Sequence, residues 1–142
     1  MSRFSLTYLG IFFLIISILS FFNILYSYYF NIFLNLNSYI YTLIISLIFG
    51  LTFLIKKKDV LKISIYSKIL TVIIGYLILP LTISLPYYFS IYNISFLNAY
   101  FESISGFTST GFTIFDNIRY IDESLILWRS SSQWVGGLYF LF

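Results

Sequence analysis

The chain of 142 residues contains no cysteine and no histidine. Disulfides, thiolate or imidazole metal sites, cysteine nucleophiles and histidine general bases are thereby excluded. Acidic residues number only five and are scattered, so no nucleophile and base can be drawn together and an enzyme is not expected. Alanine occurs once, at Ala99, while Phe and Tyr carry most of the 23% aromatic content. That bias belongs to the whole composition, so nearly all Tyr and Phe are read as packing or lipid-facing residues. Charge is scarce: 9% of residues are charged and 60% hydrophobic, against about 25% and roughly 45–50% in an average soluble domain. The composition is that of an integral membrane protein.

From Phe4 through Ile55 there is no Asp, Glu, Lys or Arg. A span needs about 20 apolar residues, so this run holds two. The first is predicted from Leu6 to Tyr29, apolar on all faces and longer than the apolar core of a cleaved signal. Asn31 to Ser38 is a polar connection, and a second span runs from Tyr39 to Ile55. Five of the eight basic residues then fall between Lys56 and Lys68. Beside a span, such a cluster is a topology signal with anionic lipid as its contact, not a nucleic-acid site. It predicts a cytoplasmic loop, and Arg3 puts the amino terminus on the same side. A third span is predicted from Ile69 to Tyr88, bent or loosened at Pro80 and ending outside near Pro86.

Phe96 to Ser105, about ten residues, is too short to cross and is predicted to dip in as a half-length helix capped by Ser95 or Asn98. Its carboxyl end points inward at Gly106, and the partial negative charge there favours a cation. The chain must then return outward to Asp116, Arg119, Asp122 and Glu123. Irregular backbone at that depth is tolerated only where protein buries it or water lines it. The return segment lies within S-G-F-T-S-T-G-F-T, Ser105 to Thr113. A Thr/Ser-rich stretch with a central glycine can stay extended and turn carbonyls toward a dehydrated cation, as in a potassium selectivity filter. Glu102 and Arg129 are intramembrane charges, each needing a partner or water. Either they meet behind the segment and brace it, or Glu102 faces the vestibule and Arg129 snorkels. Trp128 and Trp134 fit interfacial or packing roles, and Gly136 and Gly137 allow close helix approach.

The run F-E-S-I-S-G-F-T-S-T-G-F-T, Phe101 to Thr113, followed by L-W-R-S-S-S-Q-W-V-G-G, Leu127 to Gly137, resembles the first pore repeat of the Trk/Ktr/HKT cation transporters. It is most similar to the TrkH-type bacterial potassium uptake subunit, which also places two spans before that repeat. The resemblance implies that Thr108, Ser109, Thr110, Gly111 and Phe112 face or shape the ion path. It makes the backbone oxygens of Ser109, Thr110 and Gly111 potassium ligands, with Glu102, Gly106 and Arg129 as pore support. Two departures are Ser109, where a second Thr is usual, and Phe112, where a small or aliphatic residue is usual. Leu138-Tyr139 likewise replaces the usual Met-Gly.

The expected fold is therefore all-α and membrane-integral. Residues 1–55 form a two-helix hairpin, 56–68 a cytoplasmic basic loop, and 69–142 one helix, pore loop and helix repeat of a four-repeat potassium-channel-like architecture. A filter needs about four strands around its ion. The expected function is potassium transport across a bacterial inner membrane, with this chain as an incomplete subunit whose last helix is cut short. The alternative is a non-transporting membrane relic or a structural subunit that other chains complete. Potassium is the only small ligand expected, with no organic cofactor. The resemblance implies as partners membrane lipid, the remaining repeats, a second copy in a homodimer, and a cytoplasmic nucleotide-binding regulatory subunit.

Overall fold

The computed structural model describes residues 6–55 and 65–141, and every regular element among them is helical. Helix α1 (Leu6–Tyr29) covers the expected first span, and α2 (Leu36–Ile55) begins slightly ahead of the expected second. The hairpin closes on small and polar residues, which let backbones approach. On α2, Ser38, Thr42, Ser46 and Gly50 recur every fourth residue and are all buried. The Ser20 hydroxyl donates to the Tyr39 carbonyl at 2.7 Å, and a side chain at Gly10 would stand 3.1 Å from the Gly50 carbonyl. Arg3 and Lys56 to Lys62, on which the expected orientation rests, lie outside the described residues.

Helix α3 (Ile65–Ile83) runs through Pro80, and the short α4 (Leu85–Tyr88) follows. The break falls at Ser84, not at Pro80. Pro86 sits buried in the first turn of α4, two residues before the apolar stretch Ile65–Tyr88 ends. A first turn is where proline's missing N–H costs least. Carbonyls along this stretch receive outside donors: Tyr100 Oη donates to Leu77 at 2.8 Å, Ser103 Oγ to Pro80 at 2.9 Å and Trp128 Nε1 to Ile83 at 3.0 Å.

Helix α5 (Phe96–Phe107) is capped by Ser95, whose Oγ accepts from the Asn98 amide at 3.4 Å. Residues 108–122 lead back through a 3-10 turn at Ile118–Tyr120 to α6 (Glu123–Leu141). Both ends of this excursion meet at one end of the bundle. The Asp122 amide donates to Tyr92 Oη at 2.7 Å, Asn35 Nδ2 donates to Asp122 Oδ2 at 2.9 Å, and the Ile91 amide donates to Asn35 Oδ1 at 3.3 Å. Away from that end, Tyr8 Oη donates to the Tyr139 carbonyl at 3.0 Å and Tyr139 Oη to the Thr71 carbonyl at 2.8 Å. Gly75 makes room for that hydroxyl, since a Cβ there would collide with it. Phe12, Tyr76 and Phe107 pack around the Tyr139 ring.

Three helical stretches are long and apolar enough to cross a membrane: Thr7–Tyr29, Leu36–Ile55 and Ile65–Tyr88. Helix α6, at 19 residues, is less apolar than these three. The reason is the run Arg129-Ser130-Ser131-Ser132-Gln133, of which Ser132 is buried against the protein.

Candidate functional site

The amide groups after α5 determine the site's shape. Thr108 N donates to the Ile104 carbonyl at 2.8 Å, and Ser109 N to Gly106 at 2.9 Å. Thr110 N at 3.0 Å and Gly111 N at 3.4 Å both donate to Ser105. The carbonyls ending α5 are thus capped by the chain that follows. In a planar trans peptide the carbonyl of one residue points opposite to the N–H of the next. With the amides of Ser109, Thr110 and Gly111 turned toward the helix end, the carbonyls of Thr108, Ser109 and Thr110 point away from it. All of residues 108–112 are exposed.

This arrangement needs left-handed backbone at Ser109 (φ +57°) and Gly111 (φ +84°). For Gly111 that is unstrained. For Ser109 it costs on the order of 1–3 kcal/mol and is held by its amide bond and by its hydroxyl, which donates to the Gln133 carbonyl of α6 at 3.4 Å. The Thr108 hydroxyl donates to Ile104 at 2.8 Å, so in its 2.6 Å contact with Thr110 the Thr110 hydroxyl is the donor.

Gly111 and Phe112 are held differently. Arg129 Nη2 donates to both their carbonyls, at 3.3 and 3.2 Å, and Ser105 Oγ donates to Phe112 at 2.6 Å. Arg129 Nε lies 2.7 Å from Glu102 Oε1, a charge contact without an aligned hydrogen bond from Nε–H. The Glu102 side chain is fully buried. Its oxygens accept from the Ile114 amide at 2.9 Å and from the Thr113 hydroxyl at 3.1 Å. Of the two expectations for these charges, vestibule and snorkel or mutual approach, the observed placement is approach, spanning residues 102, 111–114 and 129.

Gly106 is buried beneath α6, where an added Cβ would meet Ser132 Oγ at 2.7 Å. Gly136 abuts the Phe107 backbone, so that any side chain there would collide with its carbonyl, while Gly137 faces open space. Of the tryptophans, Trp128 is buried in the core and Trp134 is exposed. Below Ser109 an open groove of about 640 Å³ runs between Phe107, Gln133 and Leu138.

Ser105 and Thr113 were not singled out individually by sequence, although both lie in the Ser105 to Thr113 run. Ser105 organises the return segment through its carbonyl and hydroxyl, and its signal was helical spacing from Glu102 on one face of α5. Thr113 carries no comparable signal, because its partner lies eleven residues back.

An uncharacterized cation transporter of Methanocaldococcus jannaschii is 33% identical over 110 residues, 76% of this chain and 23% of that protein. The Trk system potassium uptake protein TrkI of Halomonas elongata is 42% identical over 60 residues, 42% of this chain and 11% of its own length. Trk system potassium uptake protein TrkG of Escherichia coli is 37% identical over 46 residues, 32% of this chain and 10% of its own. The chain thus spans a quarter or less of these relatives. No family model matches. No solved structure matches either. Helices long and apolar enough to span a membrane and these matches agree: the chain belongs to the Trk-type cation transporter family.

Proposed function

We propose that this chain supplies one wall of a potassium pathway in a Trk-type uptake system. The observation that carries the reading is the shared direction of the Thr108, Ser109 and Thr110 carbonyls, turned out from the end of α5. Carbonyl oxygens replace the hydration shell of an alkali cation when several such walls surround it. Two relatives are named as potassium uptake proteins, which supports potassium as the cargo.

One wall leaves most of the ion's surface to water, so transport requires the remaining pore repeats. The same proposal includes a bacterial inner-membrane location with the amino terminus in the cytoplasm, supported by the basic residues between Lys56 and Lys68. It also includes a homodimeric whole and a cytoplasmic nucleotide-binding regulatory subunit, both supported by family resemblance alone. A structural subunit that moves no ions is the second reading, favoured by the exposure of residues 108–112.

Complementation separates them. In a bacterium lacking potassium uptake, this chain alone should not restore growth at low potassium. Joined in frame to the remaining length of a Trk relative, it should restore growth, and Gly111→Val should abolish the rescue. Rescue by the joined protein that is indifferent to Gly111→Val would refute the pore-wall reading. Rescue by the chain alone would refute its dependence on other walls.

A further inference from the structure

The oxygens of the return segment divide into two groups. No hydrogen bond among the described residues ends on the carbonyls of Thr108, Ser109 or Thr110. The carbonyl of Phe112 accepts from both Ser105 Oγ and Arg129 Nη2, which occupies its two lone pairs, and that of Gly111 accepts from the same Nη2. The guanidinium that holds them is paired through Nε with Glu102, whose other contacts are the Ile114 amide and the Thr113 hydroxyl. Glu102 therefore adds no net negative charge to this wall.

We infer that Arg129 is a specificity-determining residue: it withdraws the Gly111 and Phe112 carbonyls from cation coordination and cancels the Glu102 charge, leaving a neutral wall of three oxygens suited to a monovalent cation. The inference rests on the pore-wall reading above. Its physical basis is that added ligand charge favours divalent over monovalent cations, and that carboxylate rings are the usual way a cation pore acquires such charge. Removing Arg129 would uncover the carboxylate and release the Gly111 carbonyl, while that of Phe112 would keep its bond from Ser105 Oγ. Lysine at 129 would keep the charge, but its single ammonium cannot reproduce a planar fork that reaches a carboxylate and two carbonyls together.

The test follows the backbone carbonyl carbons of residues 108–112 by solid-state NMR, with the chain joined in frame to the remaining length of a Trk relative, in lipid vesicles titrated with potassium chloride and then barium chloride. In the unaltered chain, potassium should move the signals of 108–110 and leave 111 and 112 still. In Arg129→Lys the Gly111 and Phe112 signals should change before any salt is added, and that of Gly111 should then respond to potassium. In Arg129→Gln the apparent affinity for barium should rise about tenfold, the order expected when one unit charge is uncovered nearby. Glu102→Gln/Arg129→Gln, which leaves no uncompensated charge, should fold and release the Gly111 carbonyl without the barium gain. Potassium-dependent movement of residues 111 and 112 in the unaltered chain, or equal barium affinity in Arg129→Gln and the double variant, would overturn the inference while leaving the wall intact. No response at any of the five carbonyls up to molar potassium would overturn the wall reading and the inference together.

Discussion

Single atoms decide the geometry at Gly136. A Cβ there would collide with the Phe107 carbonyl, at the point where α5 hands over to the return segment. Gly136→Ala should therefore destabilise the protein by about 1–3 kcal/mol, the usual cost of overpacking. Gly137→Ala, which meets open space, should not. Thermal unfolding of both variants in detergent checks the contrast, and equal losses would contradict it. Glu102 makes a second case, because it is fully buried and holds Arg129, Thr113 and Ile114 at once. Breaking one partner of a buried pair costs about 3–5 kcal/mol. Glu102→Ala and Arg129→Ala should each approach that loss, and the double variant should lose much less than their sum. Additive losses would show that the two side chains act independently.

At the scale of elements, α5 depends on its neighbours because it is too short to be stable alone. Ser95→Ala removes its cap and should cost about 1 kcal/mol, read as faster amide exchange at Asn98 and Ala99 with α6 unaffected. Three donors from α5 and α6 reach α3 near its break, and Trp128→Phe removes the one ending on the Ile83 carbonyl. That variant keeps the packed ring and should lose about 0.5–1.5 kcal/mol, the net value of one hydrogen bond. The Ser95 cap was legible in the sequence because a cap is a local signal. So was the need of Glu102 and Arg129 for partners, since isolated charge is costly in the membrane. The carbonyl directions were not legible, because they depend on a serine in left-handed backbone at 109. Nor was the break at Ser84, because two prolines six residues apart offer two places to interrupt one apolar run and tertiary donors decide between them.

Across the whole molecule, the hairpin of α1 and α2 is bound to the helices that follow it at both ends. Asn35 joins the α1–α2 turn to Asp122 and Ile91, and Tyr8 reaches the Tyr139 carbonyl. The spans themselves were legible from hydropathy, but no pattern in the sequence connects Asn35 to a residue 87 positions away. Asn35→Leu should loosen the loops it joins, seen as raised amide exchange at Ile91 and Asp122. The absence of cysteine makes orientation directly measurable. A single cysteine at Tyr120 should react with an impermeant thiol reagent from outside the cell, and one at Lys57 only after the membrane is opened. The reverse pattern would invert the proposed topology.

The segment that presents the free carbonyls takes most of its shape from Ser105, through contacts that reach at most seven residues along the chain. Closing so short a loop costs little entropy and is fast. The segment can therefore acquire its outline as soon as α5 has packed against its neighbours. Under the pore-wall proposal, assembly with the remaining repeats then becomes a matter of docking parts already shaped, in which each late contact selects among finished surfaces instead of creating one.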